Sequence, residues 1–306
     1  MSMLIASTLD DALAAVAAGA RPIAGGSDLV VGARHGKAPL PASLVAIDRI
    51  AELQTVTETA DGGLVLGAGV SHHVIETHPV ITGHFSGLAD ASALVGSPST
   101  RHVGTIGGNV MNGSPAMDTG APLVVLGATV ELRSTTGTRT VSIGDLWTGP
   151  GRTAAAPDEL CVAVHLPAPP PRSGSAYVRL EYRRAMEIAV VGAAAAVTLD
   201  ADGDVASISV ALSAVAPTIL AVSGLTGLAG RSVADVAAAA AEAAAEQARP
   251  ISDLRASDRY RRHTVGVMAR RAVEAAARRA AGETIAVPVN RALGIGAVAA
   301  TPGAPS

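Results

Sequence analysis

Residues 22–30, Pro-Ile-Ala-Gly-Gly-Ser-Asp-Leu-Val, and residues 105–110, Thr-Ile-Gly-Gly-Asn-Val, share one construction: a glycine pair set among apolar residues with polar side chains beside it. Adjacent glycines admit positive φ and let bare backbone come close to a ligand. Consecutive N–H groups in such a turn make an anion-binding concavity. Ser27, Thr105 and Asn109 add side-chain donors beside those amides. Two turns of this kind, closing on one another, would grip both halves of a pyrophosphate without a lysine. Either turn alone is also what a tight surface bend looks like. Asp118, ten residues after Gly108, has two readings. It is an acceptor for a ribose hydroxyl, as acidic residues are in dinucleotide folds, or the N-cap of a helix around Pro122.

Working outward, Thr8 with Asp11 three positions on predicts a helix N-terminus, with Leu9, Leu13 and Val16 on one face and Gly19 as its stop. Pro22–Ala24, Leu44–Ile47 and Leu64–Leu66 read as short strands. Residues 71–95 read as partly helical. Residues 96–118, rich in Gly, Ser, Thr, Asn and Pro, read as a long ordered loop. Pro122–Gly127 is a short apolar helix, and Thr129–Arg133 with Thr138–Ile143 form a hairpin about Gly137. The proline-rich stretch 166–175 marks the domain boundary. Beyond it come three strands, Ala176–Glu181, Val190–Leu199 and Val205–Leu212, the last two joined by Asp202-Gly203. Two helices follow, one capped by Ser232 and one running from Ser257 to Ala281. The expected organisation is 1–167, a linker 168–175, a second domain 176–282, and a loosely held tail 283–306.

Composition removes several classes of function. The chain has 306 residues, 49% of them hydrophobic and 16% charged, enough apolar side chains to bury a sizeable core. Aromatics at 2% leave no stacking platform for single-stranded nucleic acid, and a net charge of −3 gives no field for a phosphate backbone. The single cysteine, Cys161, forbids an internal disulfide, a cysteine-held zinc and a self-held iron–sulfur cluster. No stretch is long and apolar enough for a membrane span, and the N-terminus lacks the basic start of a signal peptide, so a cytoplasmic location is expected. Gly67-Ala68-Gly69 lacks the third glycine of the dinucleotide fingerprint. His72, His73, His78 and His84 show no metal-ligand spacing and read as packing or solvent histidines. The arginines of the last helix read as a solvated or subunit-contacting face.

The ordered segments IAGGSDLV, STRHVGTIGGNV and SPAMDTGAPLVVLGATVEL together resemble the flavin subunit of molybdenum hydroxylases, the family of carbon monoxide, xanthine and nicotine dehydrogenase medium subunits. The resemblance continues through PDELCVAVHLP and YVRLEYRRAMEIAVVGAAAAVTLD to the last helix and covers about residues 4–281. It implies an α+β fold: a two-subdomain FAD-binding domain of the vanillyl-alcohol-oxidase (PCMH) type, then a three-stranded antiparallel sheet with a helical bundle. Its first diphosphate loop falls on Pro22, Ile23, Ala24, Gly25, Gly26, Ser27, Asp28 and Leu29, and its second on Thr105, Ile106, Gly107, Gly108 and Asn109. The ribose-binding carboxylate falls on Asp118, a backbone contact to the cofactor on Leu160, and cofactor-lining positions on Val95 and Gly96. The segment RRAMEIAVV would approach the isoalloxazine ring with Glu187 and Ile188. Arg179 stands where relatives often carry a lysine, and the two cations are not equivalent.

The resemblance further implies that no side chain here does covalent chemistry, because the cofactor supplies the redox step and the protein binds and orients it. The expected partners are a large molybdopterin-binding subunit and a small subunit with two iron–sulfur clusters, in a heterotrimer or a dimer of heterotrimers. Electrons would reach FAD from those clusters and leave to NAD, a quinone or oxygen. Two other readings stay open on sequence: a scaffold subunit of the same fold that binds no cofactor, and a stand-alone flavin oxidase, for which His102 is the nearest candidate for a covalent link.

Overall fold

The structure is a computed structural model that describes residues 1–295. The chain opens with a three-stranded parallel sheet in the order β1 (Ser2–Ile5), β3 (Ser43–Ala46), β2 (Arg21–Ile23). Helix α1 (Leu9–Ala17) crosses from β1 to β2. Thr8 Oγ1 accepts from the Asp11 amide at 3.2 Å, and Gly19 ends the turn at φ +89°. The apolar face of α1, Leu9, Ala12, Leu13 and Val16, is buried against Val45, Ile47, Ile50 and Leu53. Beyond β2 the chain turns through the first glycine pair into α2 (Leu29–Arg34), a short helix with no buried residue.

A five-stranded antiparallel sheet follows, in the order β4 (Val56–Glu58), β5 (Leu64–Gly67), β10 (Leu160–Leu166), β6 (Thr129–Arg133), β7 (Thr138–Ser142). The connection from β5 to β6 carries the helices α3 (His72–Thr77), α4 (Pro79–His84), α5 (Ser86–Leu94), α6 (Pro98–Val103), α7 (Ile106–Asn112) and α8 (Gly120–Val125). The reading of 96–118 as a loop is therefore corrected: α6 and α7 lie within it. The polar residues that suggested a loop are caps. Ser97 Oγ accepts from the Thr100 amide, Pro98 occupies the first turn where no donor is needed, and Thr105 Oγ1 accepts from the Gly108 amide. Between β7 and β10 lie α9 (Ile143–Leu146) and a small ribbon of β8 (Trp147–Gly149) and β9 (Arg152–Thr153).

The last part is an antiparallel sheet in the order β11 (Ser173–Leu180), β12 (Val191–Leu199), β13 (Val205–Ser213), β14 (Leu220–Ala221). The three expected strands are present; the fourth is a two-residue addition with no pattern to announce it. Strand β11 begins at Ser173, inside the stretch read as a linker. Helices α10 (Val233–Gln247) and α11 (Asp258–Ala280), capped by Ser232 and Ser257, cover this sheet. Their inner faces are built of alanines, among them Ala237, Ala240, Ala269, Ala272 and Ala276, which bury without loss of side-chain entropy. They also let backbones meet: a Cβ on Gly174 would lie 2.4 Å from the Ala276 carbonyl oxygen.

Two expectations change here. The tail is not loose as far as it is described, since Ile285 and Val289 are buried in this core and α12 (Val289–Ala292) packs beside β11. Residues 296–306 lie outside the described residues. The arginine-rich α11 is also not all surface. Arg261 is buried and donates to the carbonyls of Val190 and Ala214, and Arg279 reaches Asp90 on α5.

Candidate functional site

The first glycine pair is held from below and open from above. A Cβ on Gly25 would sit 1.7 Å from the Val103 carbonyl oxygen, so only glycine lets this turn rest on the end of α6. Gly26 takes φ +67°, with the Ile23 side chain against it. None of the consecutive N–H groups of Gly25, Gly26, Ser27 and Asp28 donates to another described residue, and neither does the Ser27 hydroxyl. The segment is exposed to half-buried, so these donors are reachable. Free consecutive N–H groups of this kind are what an anion-binding concavity requires.

The second glycine pair is different, and its expectation is corrected. Its amides already have protein acceptors: Ile106 N–H donates to Val70 O, Gly107 N–H to Ala68 O, both at 2.9 Å, and Asn109 N–H to Thr105 O. Gly108 N–H donates to Thr105 Oγ1 at 3.1 Å. A Cβ on Gly107 would meet Ala68 Cβ at 2.5 Å, so packing alone demands glycine at this position. What this turn can still offer is side chains. The Thr105 hydroxyl keeps its proton to donate, and Asn109 accepts from Thr119 through Oδ1 at 2.6 Å while Nδ2 donates to no described residue.

The two turns do meet. A Cβ on Gly104, one residue before Thr105, would be 3.4 Å from both Ser27 Oγ and His72 Cδ2. His72, read from the sequence as a packing or solvent histidine, is a packed one, 1% exposed with Nδ1 lacking a partner among the described residues. Burial, reinforced by the positive charge of Arg101, pushes its pKa down to about 4, so the ring at this junction is neutral. His102 is exposed, stacked on His73 with ring centroids 4.0 Å apart and bonded to Pro98 O.

From Asn109 and Thr119 the site continues to Asp118. Asp118 does not cap α8, whose N-cap position is Thr119. It is 8% exposed and accepts at Oδ1 from the Tyr177 hydroxyl and at Oδ2 from Arg179 Nη1, both at 2.8 Å. Arg179 has no exposure at all. Its Nε donates to Glu181 at 2.8 Å, and Nη1 also reaches Glu187 O at 3.3 Å. Nη2 lies 2.8 Å from the same Glu181 oxygen without making a hydrogen bond of its own. Burial alone would lower the Arg179 pKa; Asp118, Tyr177 and Glu181 outweigh it and raise it. Burial and the Asp118 charge likewise push the Tyr177 hydroxyl well above its ordinary value, so it stays a donor.

The 181–190 loop closes the other side. Met186 N–H donates to Gly96 O at 2.9 Å, and Arg101 Nη1 reaches Val95 O at 3.4 Å. Asp118, Arg179 and the Glu187 carbonyl are thus joined directly, and Gly96 is tied to the same loop through Met186. Tyr182, Met186 and Ile188 are about half-exposed on the same loop. Leu160 stands apart from these contacts: it is buried at the start of β10, in the cluster against which Ala24 packs, so its side chain is unavailable and only its backbone can face a ligand. Among the described residues no group of three or more His, Cys, Asp or Glu could hold a metal.

Residues 1–169 match the family described as the FAD binding domain in molybdopterin dehydrogenase, and residues 176–276 the CO dehydrogenase flavoprotein C-terminal domain. The chain is 30% identical over 283 residues to the xanthine dehydrogenase FAD-binding subunit of Escherichia coli O157:H7, covering 91% of this chain and 96% of that one. It is 35% identical over 263 residues to the carbon monoxide dehydrogenase medium chain of Afipia carboxidovorans, covering 85% and 90%. A solved Cu,Mo-CO dehydrogenase chain superposes with a TM-score of 0.86 at 32% identity, covering 91% of this chain and 99% of that chain.

Proposed function

Because the chain belongs to the FAD-binding medium subunits of the carbon monoxide and xanthine dehydrogenase family, we propose that it holds FAD along the path from Gly25 to Ile188 and serves as an electron relay. The observation that carries this reading is the row of open amides at Gly25–Asp28, with the Ser27 hydroxyl beside them and the second turn in contact. An anion with many acceptor oxygens fits such a cradle. The grip on the diphosphate is unequal: within the loop Pro22–Leu29 the backbone donors are the amides of Gly25–Asp28, side-chain donors come from Thr105 and Asn109, and Ile106, Gly107 and Gly108 form the rigid floor. Asp118 uses one lone-pair site on each oxygen within the protein and keeps others for a ribose hydroxyl. Val95, Gly96, Glu187 and Ile188 line the ring, Arg179 stands behind them, and Leu160 offers backbone.

When bound, FAD supplies the electron acceptance and release that no side chain here can. This chain binds and orients it and shields one face with the 181–190 loop. The proposed assembly has a large molybdopterin-binding subunit and a small iron–sulfur subunit, in a heterotrimer or a dimer of heterotrimers. Electrons enter from the clusters and leave to NAD, a quinone or oxygen. The proposed domains are 1–167 and 176–282, with 168–175 between them. Among the described residues no helix is long and apolar enough to cross a membrane, and we place the complex in the cytoplasm. The test is the visible spectrum of the purified chain with FAD added back. Flavin bands that travel with the protein, and free FAD after denaturation, are the expected result. A chain that takes up no FAD overturns the reading, and flavin retained through denaturation would favour a covalent oxidase.

A further inference from the structure

Strand β11 is the end strand of its sheet, so every second residue turns backbone polar groups away from β12. Those groups are not met by another strand. Ser175 O accepts from Ser86 Oγ at 2.9 Å and Arg279 Nη1 at 2.8 Å. Tyr177 N–H donates to Asp90 Oδ2 at 3.2 Å. At Arg179 the partner is Asn290: Arg179 N–H donates to Asn290 Oδ1 at 3.1 Å, and Asn290 Nδ2 donates to Arg179 O at 2.9 Å. One primary amide thus satisfies both backbone groups of one residue, a two-point match that also fixes which end of the amide is oxygen. Asn290 is fully buried and lies beyond both family-matched regions, which end at residue 276.

We propose that Asn290 is a positioning residue for the flavin site, fixing β11 at Arg179 and, through Arg179, the place of Asp118 and of the 181–190 loop. The inference rests on the functional reading above. The chain of contacts is short. Asn290 holds the Arg179 backbone, the Arg179 side chain holds Asp118 and the Glu187 carbonyl, and Met186 on the same loop holds Gly96. Asn290 is itself held, because the preceding residue, Val289, donates its N–H to Asp90 Oδ1 at 2.8 Å, the same carboxylate that receives Arg279 and Tyr177. The C-terminal segment therefore latches the strand from which the ring-facing loop departs.

The test uses the full chain. Hydrogen exchange over residues 177–188 is measured without FAD, and FAD affinity by flavin fluorescence, for wild type, Asn290→Ala, Arg179→Lys and the double variant. Coupling of this kind between a held strand and a binding site is on the order of tenfold in affinity. Asn290→Ala is expected to speed exchange over 181–188 and weaken FAD to that extent, and the double variant to lose much less than the product of the single losses. Unchanged exchange and affinity in Asn290→Ala, or losses that multiply independently, overturn the proposal. If Asn290→Ala does not fold, Asn290→Asp decides. It keeps the acceptor for Arg179 N–H and loses the donor to Arg179 O, so faster exchange over 181–188 supports the proposal and wild-type exchange overturns it. A wild-type chain that binds no FAD would fail the functional reading while leaving the exchange measurement to judge Asn290.

Discussion

The turns at Gly25-Gly26 and Gly107-Gly108 are nearly interchangeable on paper and opposite in the folded chain. The first rests its floor on Val103 and leaves a row of amides without acceptors among the described residues; the second hands its amides to Val70, Ala68 and Thr105 and becomes the start of a helix. A glycine pair therefore marks close approach of backbone to something, but not to what. The neighbours decide. Ile106 and Val110 are buried and drag the second turn into the core, whereas α2, after the first, buries nothing and leaves that turn at the surface.

Substitutions can break or sharpen this contrast, beginning with the largest effect. Gly107→Val drives a side chain into Ala68, and about 3 kcal/mol or more of stability is expected to go, seen in the denaturation midpoint of the FAD-free chain. A wild-type midpoint would mean the second turn is not the packed one.

His72, under the junction, is next. Its folded pKa of about 4 lies below the ordinary 6.5, so the unfolded chain binds the extra proton between those values. Its contribution is complete above pH 6.5 and is lost as pH falls towards 4, on the order of 3 kcal/mol. The stability difference between wild type and His72→Leu should therefore shrink as the solution is acidified through that window; a constant difference contradicts a buried neutral ring.

Removing hydroxyls separates the turns more finely. Thr105→Ala deletes a helix cap and should cost about 1 kcal/mol in thermal unfolding. Ser27→Ala should leave stability within about 0.5 kcal/mol and weaken FAD by roughly five- to tenfold in a fluorescence titration. Equal effects of both on stability would erase the distinction. The smallest change is Gly108→Ala. Its Cβ meets only Thr105 Oγ1, at 3.0 Å, so the midpoint should move by less than about 0.5 kcal/mol. Lost FAD binding in that stable variant would show the cofactor pressing on the second turn after all.

Much of the fold was legible because its signals are local. Thr8, Ser232 and Ser257 do cap helices, Asp202-Gly203 does turn a hairpin, with Gly203 at φ +92°, and the β6–β7 arms do pair about Gly137. The helices within 96–118 were hidden because capping residues and loop residues are the same amino acids, and six- or seven-residue helices have no room for a hydrophobic period. At the site, it was the resemblance to the flavin subunits that grouped the glycine turns, Asp118 and the RRAMEIAVV segment. Three things were not written in any stretch: that Asp118 would be taken up by Tyr177 and Arg179, that His72 would lie beneath both turns, and that Asn290 would return from the far end of the chain to Arg179. Each depends on residues distant in sequence, and no periodicity reports such a meeting.

The sealed flank of β11 has a consequence for how this molecule meets others. A bare outer strand is a template on which another extended chain can stack, the usual beginning of filaments and of exchanged segments between copies. Here the side chains of Ser86, Asp90, Arg279 and Asn290 occupy rungs of that ladder and carry no further rung. An extended chain that docks on this side finds Ser175 O, Tyr177 N–H and both backbone groups of Arg179 already taken.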